Sequence, residues 1–418
     1  MKLSENKKSK ISYVQVLRRQ GYRQLFFGSA VSTIGNQIQY IALIAYVYHI
    51  TGKALDLGLL MIISALPNLI FGPVMGVLAD RYNRRSIMII SDISRFFIVL
   101  MFPLTQTLWQ IYLLVFLMGI ARAAYSPSEF AYIPNLVTRD ELVVANSLEM
   151  TMINVTMIVG PALGGLIIGR FNTTVAFIIN AITFLFSAVM IMMIREEVSK
   201  RKVETNKTNI LQDLKFGLRF MWSDKIIRFL IVVFSILILL TSGINPLVIV
   251  YNHEILGKGD AEFGYLISMI GFGGIVGGFI YGLIGRRYSK IQIIFYNLVI
   301  DGVILALLGF NSSYLLAMVI FFLLGLLGTI FEVAIMTLLQ EYIPDELRGR
   351  IIGIFSLVFD PFRMVSMGIY GFLTDLFGVG ILFIASGIFE MGTGAIVRLF
   401  PAYKKMRRIE EEGVVKIK

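Results

Sequence analysis

Long apolar runs dominate this sequence, near residues 24–49, 55–78, 86–105, 108–132, 142–169, 173–194, 226–250, 261–284, 290–310, 313–340, 351–373 and 378–400. Each is about 20 residues or longer, enough for a helix to cross a hydrocarbon core of roughly 30 Å. Lipid offers backbone N–H and C=O groups no partner, so a crossing segment is a helix or a strand of a closed barrel. Barrel strands are short and alternate in polarity. These runs are continuously apolar, so the expected fold is an all-α membrane protein with twelve transmembrane helices. Composition agrees: 16% of residues are charged, against about 25% in soluble domains.

The formal net charge of +11 could suggest a nucleic-acid partner, but the placement of the charge argues otherwise. Of the 38 Lys and Arg, 31 fall on one side of the expected spans, counting Arg228 at the mouth of the seventh run. Only Lys53, Arg170 and Lys258 fall on the other side, and Arg95, Arg122, Arg363 and Arg398 lie within runs. This asymmetry predicts cytoplasmic termini in a cell membrane, with lipid and not nucleic acid as the large partner. The N-terminal basic stretch leads into a run too long for a signal-peptide core, so no cleaved leader is expected. The absence of cysteine excludes thiol chemistry and Cys-ligated metals. Two histidines, His49 and His253, give little reason to expect a metal centre.

The longest polar stretch, 195–225, divides the runs six and six. It predicts a six-helix bundle over 1–194, a cytoplasmic connector, and a second bundle with a basic tail over 226–418. Within the connector, Ile210, Leu211, Leu214, Leu218, Met221 and Trp222 share one helical face, which predicts an amphipathic helix at the membrane surface. The halves also echo each other. Tyr132-Ile133-Pro134 and Tyr342-Ile343-Pro344 close the fourth and tenth runs, each followed closely by an acidic pair. The loops Gly76–Arg85 and Gly282–Lys290 correspond at nearly the same offset. Two pseudo-symmetric six-helix bundles follow from this duplication.

The loop after the second run reads Gly76-Val-Leu-Ala-Asp80-Arg81-Tyr-Asn83-Arg84-Arg85. Gly76 would allow close helix approach, and Asp80 could face a helix N-terminus or pair with an Arg across the inner seam. The fifth run carries Gly160-Pro161-Ala-Leu-Gly164-Gly165, where proline kinks a helix and glycines pack around the kink. The fourth carries Gly119-Ile-Ala-Arg122. These elements resemble signatures of the major facilitator superfamily, and the fifth-run element is similar to that of its exporting members. The segment Ala145-Asn146-Ser147-Leu148 following Ile133-Pro134 adds a likeness to bacterial macrolide-type and siderophore exporters. The resemblance implies alternating access. It assigns Gly76, Asp80, Arg81, Arg84, Arg85, Gly160, Pro161, Gly164 and Gly165 to conformational gating.

Charged side chains inside a bilayer cost roughly 2.5–3.5 kcal/mol each on insertion scales, so each one marks candidate chemistry. Asp92 with Arg95, and Asp360 with Arg363, are spaced for ion pairs on one helix face. Asp301 and Glu332 lack a same-helix cation, and Arg122 and Glu332 coincide when the two Tyr-Ile-Pro segments are superposed. Asp301 and Glu332, followed by Asp360 and Glu390, are therefore the candidates for carrying a proton. Several drug–proton antiporters of the family have an acidic residue in the first span. Asn36, Gln37 and Gln39 stand there instead and become substrate-cavity candidates together with Arg122.

The expected function is secondary, proton-coupled efflux of bulky amphiphilic compounds, with small molecules and protons as partners of a monomer. Siderophore export or lysolipid transport is the alternative, and a non-transporting receptor or scaffold ranks below both. No Gly-rich phosphate loop or metal cluster is evident, so neither an enzyme, a cofactor nor a resident metal is expected.

Overall fold

A computed structural model describes residues 12–195, 219, 222–223, 225–285, 287–343, 345–400, 403 and 408, with the backbone alone for 225–226, 345–357 and 399. The long helices are α1 (Gln20–Thr51), α2 (Ala54–Arg81), α3 (Arg84–Met101), α4 (Leu108–Leu136), α5 (Leu142–Arg170) and α6 (Thr173–Met192). They continue with α7 (Lys225–Thr241), α8 (Asp260–Ile284), α9 (Lys290–Phe310), α10 (Tyr314–Tyr342), α11 (Asp345–Phe377) and α12 (Val379–Leu399). No strand occurs among the described residues. Among the described residues, ten helical segments are long and apolar enough to cross a membrane, and α1 and α11 fall outside that set. The predicted surface helix at 210–222 and most of the connector lie outside the described residues.

Local chemistry sets the helix ends. Asn83 and Asn172 accept the backbone N–H of Ser86 and Val175, each at 3.0 Å, and so start α3 and α6. Thr107 and Gln110 form a capping box at the start of α4. Gly52, at φ +61°, ends α1 in a left-handed cap and turns the chain straight into α2. The segment after α7 is irregular: a 3-10 turn at Asn245–Leu247 leads through one helical turn to a π-turn at Tyr251–Ile255.

Within the first half, α1 packs on α5 and α6, α2 on α4, and α3 on α4 and α6. In the second, α8 packs on α10, α9 on α10 and α12, and α7 on α11 and α12. The most extensive contacts between the halves are α5 against α8 and α2 against α11; smaller ones set α2 against the Asn245–Leu247 turn and α1 against Val248–Val250. Backbones meet closely in the extensive contacts because glycines remove the intervening side chains. A Cβ added at Gly264 would sit 2.7 Å from Gly165 Cα, and one at Gly371 2.8 Å from Leu55 Cα.

Topology can be probed because the chain has no cysteine of its own. Asn311 would be a poor reporter despite its place between runs, since it is buried and donates to the Tyr251 hydroxyl at 3.0 Å. Gln106 and Arg139 are both exposed and stand at opposite ends of α4. Gln106→Cys should react with an impermeant maleimide in intact cells while Arg139→Cys stays silent. The reverse pattern would invert the orientation.

Candidate functional site

The loop between α2 and α3 is tied to its own half. Arg84 pairs with Asp80 at 3.6 Å and donates to the Ala131 carbonyl at 2.9 Å. Arg85 donates to the Ile191 carbonyl at 3.0 Å and to that of Met192, which anchors the C-terminus of α6. Arg81 is exposed. Two expectations are corrected here. The described partner of Asp80 is Arg84, four residues along its own loop, rather than an Arg across the seam. A Cβ at Gly76 would meet nothing within 4 Å, so this glycine is not a close-packing position in this structure.

Nearby, Glu141 is buried at the start of α5, where it accepts the Thr138 N–H at 2.9 Å and pairs with Arg19 at 3.4 Å. Burial pushes its carboxyl up, but the Thr138 hydrogen bond and the Arg19 charge outweigh that and hold it below the ordinary glutamate value.

Inside the first half, Asp92 and Arg95 form the ion pair expected from their spacing, fully sequestered within the helices. The Arg95 guanidinium is sandwiched at 4.4 Å from the ring centres of both Tyr125 and Phe184. Tyr125 in turn contacts Ser29 at 3.1 Å and donates to Glu129, which also accepts from Ser29. Tyr22 donates to Glu149 at 3.2 Å. Arg122 is exposed, lies within electrostatic reach of Arg95, and makes no ion pair among the described residues. A connected acid–base network therefore occupies α1, α3, α4 and α5, although the titratable position expected in α1 is absent.

The polar turn of α1 takes part in helix packing. Gln39 is buried and accepts from the Asn180 amide of α6. Gln37 lays its aliphatic stem against Gly160, and Asn36 beside it is half-buried. The buried Gly160-Pro161 step and Gly164 of α5 lie along α1, where a Cβ at Gly164 would come 3.2 Å from Ile38 Cα. Gly165 turns the other way, onto Gly264 of the second half. This short motif thus contacts both sides of the seam.

In the second half, Asp301 of α9 and Glu390 of α12 set their carboxyl groups against each other. Asp301 Oδ1 and Glu390 Oε2 are buried with no hydrogen-bond partner. Glycines permit the approach: a Cβ at Gly302 would fall 2.6 Å from the Gly387 carbonyl oxygen, and one at Gly309 2.5 Å from that of Gly380. Glu332 is exposed and forms no ion pair with Arg122, so the alignment of the Tyr-Ile-Pro segments does not translate into contact. Asp360 pairs with Arg363 at 3.2 Å, as their spacing predicts. The Asp301–Glu390 pairing was not legible because the two residues lie 89 positions apart on helices that only the fold brings together.

Buried charge networks inside long apolar helices, with close seams between the halves, define a multi-pass membrane transporter rather than an enzyme. The family model of the Major Facilitator Superfamily matches residues 25–367, and the chain belongs to that superfamily. Macrolide efflux protein A of Streptococcus pyogenes is 22% identical over 393 residues, covering 92% of this chain and 96% of that one. Multidrug efflux pump Tap of Mycolicibacterium fortuitum is 23% identical over 400 residues, covering 91% and 96%. Among solved structures, the nucleoside transporter NupG superposes with a TM-score of 0.75 at 11% identity, covering 92% of this chain and 98% of that one.

Arg85 and Asp80 should differ sharply on mutation. Arg85 satisfies carbonyls at a helix C-terminus, where a cation is favoured, while Asp80 sits in a largely exposed pair of small worth. Arg85→Ala should lower the thermal unfolding midpoint of purified protein by several degrees and Asp80→Asn by little. Equal effects would show that Asp80 holds more than Arg84.

Proposed function

We propose that the protein exports bulky amphiphilic compounds, macrolide-like molecules among them, by proton-coupled alternating access of two six-helix bundles in the cell membrane. Residues 1–194 would form one bundle, 226–418 the other, and 195–225 the cytoplasmic connector. Two efflux pumps with differently described substrates align along nearly the whole chain at similar identity, which favours a broad amphiphile over one narrow ligand.

The Asp301–Glu390 pair is the observation that carries the coupling. Two carboxyl groups in contact, away from bulk water, hold together best with one proton between them. Separating α9 from α12, or admitting water, would release that proton. A group that binds a proton in one conformer and yields it in another couples the gradient to the conformational change. The pairing moves the weight from Glu332 to Glu390 as the partner of Asp301. Asp360 is offset by Arg363 and stands behind both. Gly271 of α8, where a Cβ would fall 2.8 Å from the Met157 carbonyl oxygen of α5, would act as the pivot, since any rocking of the bundles moves α5 against α8.

Asp301→Asn and Glu390→Gln should each abolish uphill efflux driven by a proton gradient in inverted vesicles while sparing downhill exchange. Glu332→Gln should retain most uphill activity. Concentrative transport surviving in the Asp301→Asn/Glu390→Gln double variant would remove the pair from coupling and point to the Arg95–Glu129 network.

A further inference from the structure

The two histidines of the chain stand far apart in sequence and side by side in the structure. His49 ends α1, His253 lies in the π-turn after α7, and Asp260 opens α8 between them. His49 Nε2 is 3.0 Å from Asp260 Oδ2, and His253 Nε2 is 3.0 Å from Asp260 Oδ1. The imidazole rings cross edge to face with centres 5.5 Å apart. One ligand atom from each residue lies within 4.8 Å of the others. Around a zinc ion with bonds of about 2.0–2.1 Å, such atoms stand roughly 3.4 Å apart, so only a small inward shift is needed.

The cluster is held in place by its surroundings. The fully buried Asn252 donates to the carbonyls of Lys258 and Gly259 at 3.1 and 2.9 Å, pinning the loop that presents Asp260 beside His253. Gly257, at φ +61°, makes the tight turn that this loop requires. His253 itself is displayed by a π-turn, a helix defect that is frequent at functional sites. The side chain of His49 is 49% exposed, so an ion can enter from solvent. Two imidazoles and one carboxylate, with an open position for water, suit a borderline divalent ion such as Zn²⁺ better than Mg²⁺ or Ca²⁺.

We propose that His49, His253 and Asp260 form a binding site for a divalent transition-metal ion that bridges the two halves of the transporter. His49 belongs to the first half, and His253 and Asp260 to the second. The site therefore exists only while this end of the molecule is closed, and a bound ion favours that closed form.

The test uses purified, tag-free, full-length protein, stripped with chelator and titrated with Zn²⁺ alone in a calorimeter. One Zn²⁺ per chain is expected, with a rise in the thermal unfolding midpoint. His49→Gln and His253→Gln keep an N–H for Asp260 but are poor zinc ligands. Each should weaken binding at least about ten-fold and remove the thermal shift. No binding by the unaltered protein would overturn the proposal and leave a hydrogen-bonded contact without metal affinity. Undiminished binding in the glutamine variants, both still folded by circular dichroism, would overturn it by placing the ion elsewhere.

Discussion

Helices inside lipid gain little from the hydrophobic effect on touching, because hydrocarbon is as apolar as leucine. Their association rests on van der Waals contact and on a few polar bonds, and contact improves as backbones draw together. In this chain glycine supplies that closeness at several of the helix pairs. It brings α8 to α10, where Gly273, Gly277 and Gly325 sit against backbone, and α9 to α12 through Gly302 and Gly387. It also brings α5 to α8 through Gly165 and Gly264. The polar chemistry depends on this packing. Asp301 and Glu390 meet only because the glycines beside them let α9 and α12 close.

The two halves use buried charge differently. In the first, Asp92 and Arg95 neutralise each other, Tyr125 and Phe184 cover the guanidinium, and Glu129 and Glu149 are met by hydroxyls. That network is charge-balanced rather than fully hydrogen-bonded, since Asp92 Oδ2 is buried without a hydrogen-bond partner. In the second, Asp301 and Glu390 face each other with Oδ1 and Oε2 unpartnered and no ion pair among the described residues. The difference lies in the counter-charge: Arg95 offsets Asp92, whereas Asp301 and Glu390 are two carboxyl groups set against each other, and this is what favours the second half in the coupling proposed above.

The long helices were legible because lipid imposes one rule, about 20 apolar residues per crossing, which ten of the described segments meet and α1 and α11 do not. The i,i+3 pairs Asp92–Arg95 and Asp360–Arg363 were legible for the same reason, since a single helix fixes them. Relations between helices were not. Arg122 and Glu332 share a position in the repeat yet make no contact, because superposed halves say which residues correspond, not which residues face each other. Gly76 carries a family signature and packs against nothing, while Gly273 and Gly277, which carry none, sit against the backbone of α10. A helical face is a matter of one residue, and composition does not resolve it.

The hydrogen bonds described between the halves gather at one end. Asp375 of α11 caps the N-terminus of α2 through the N–H groups of Ala54 and Leu55, at 2.7 and 3.1 Å, where an anion is favoured by the helix dipole. Tyr48 donates to Glu254 at 3.2 Å, and His49 reaches Asp260 beside it. These bonds are few, partly exposed and polar, so each costs little to break in water, unlike the close backbone contact of Gly271 with Met157, deeper along α8 and α5. In the alternating access proposed above, that deep contact would persist as a pivot, and the peripheral bonds would open and reform at each turnover. Opening this end strips Asp375 from the α2 terminus and His49 from Asp260 together, so their separate small energies add into one barrier. An ion bound between His49, His253 and Asp260 would raise that barrier from outside the buried charge networks of both halves.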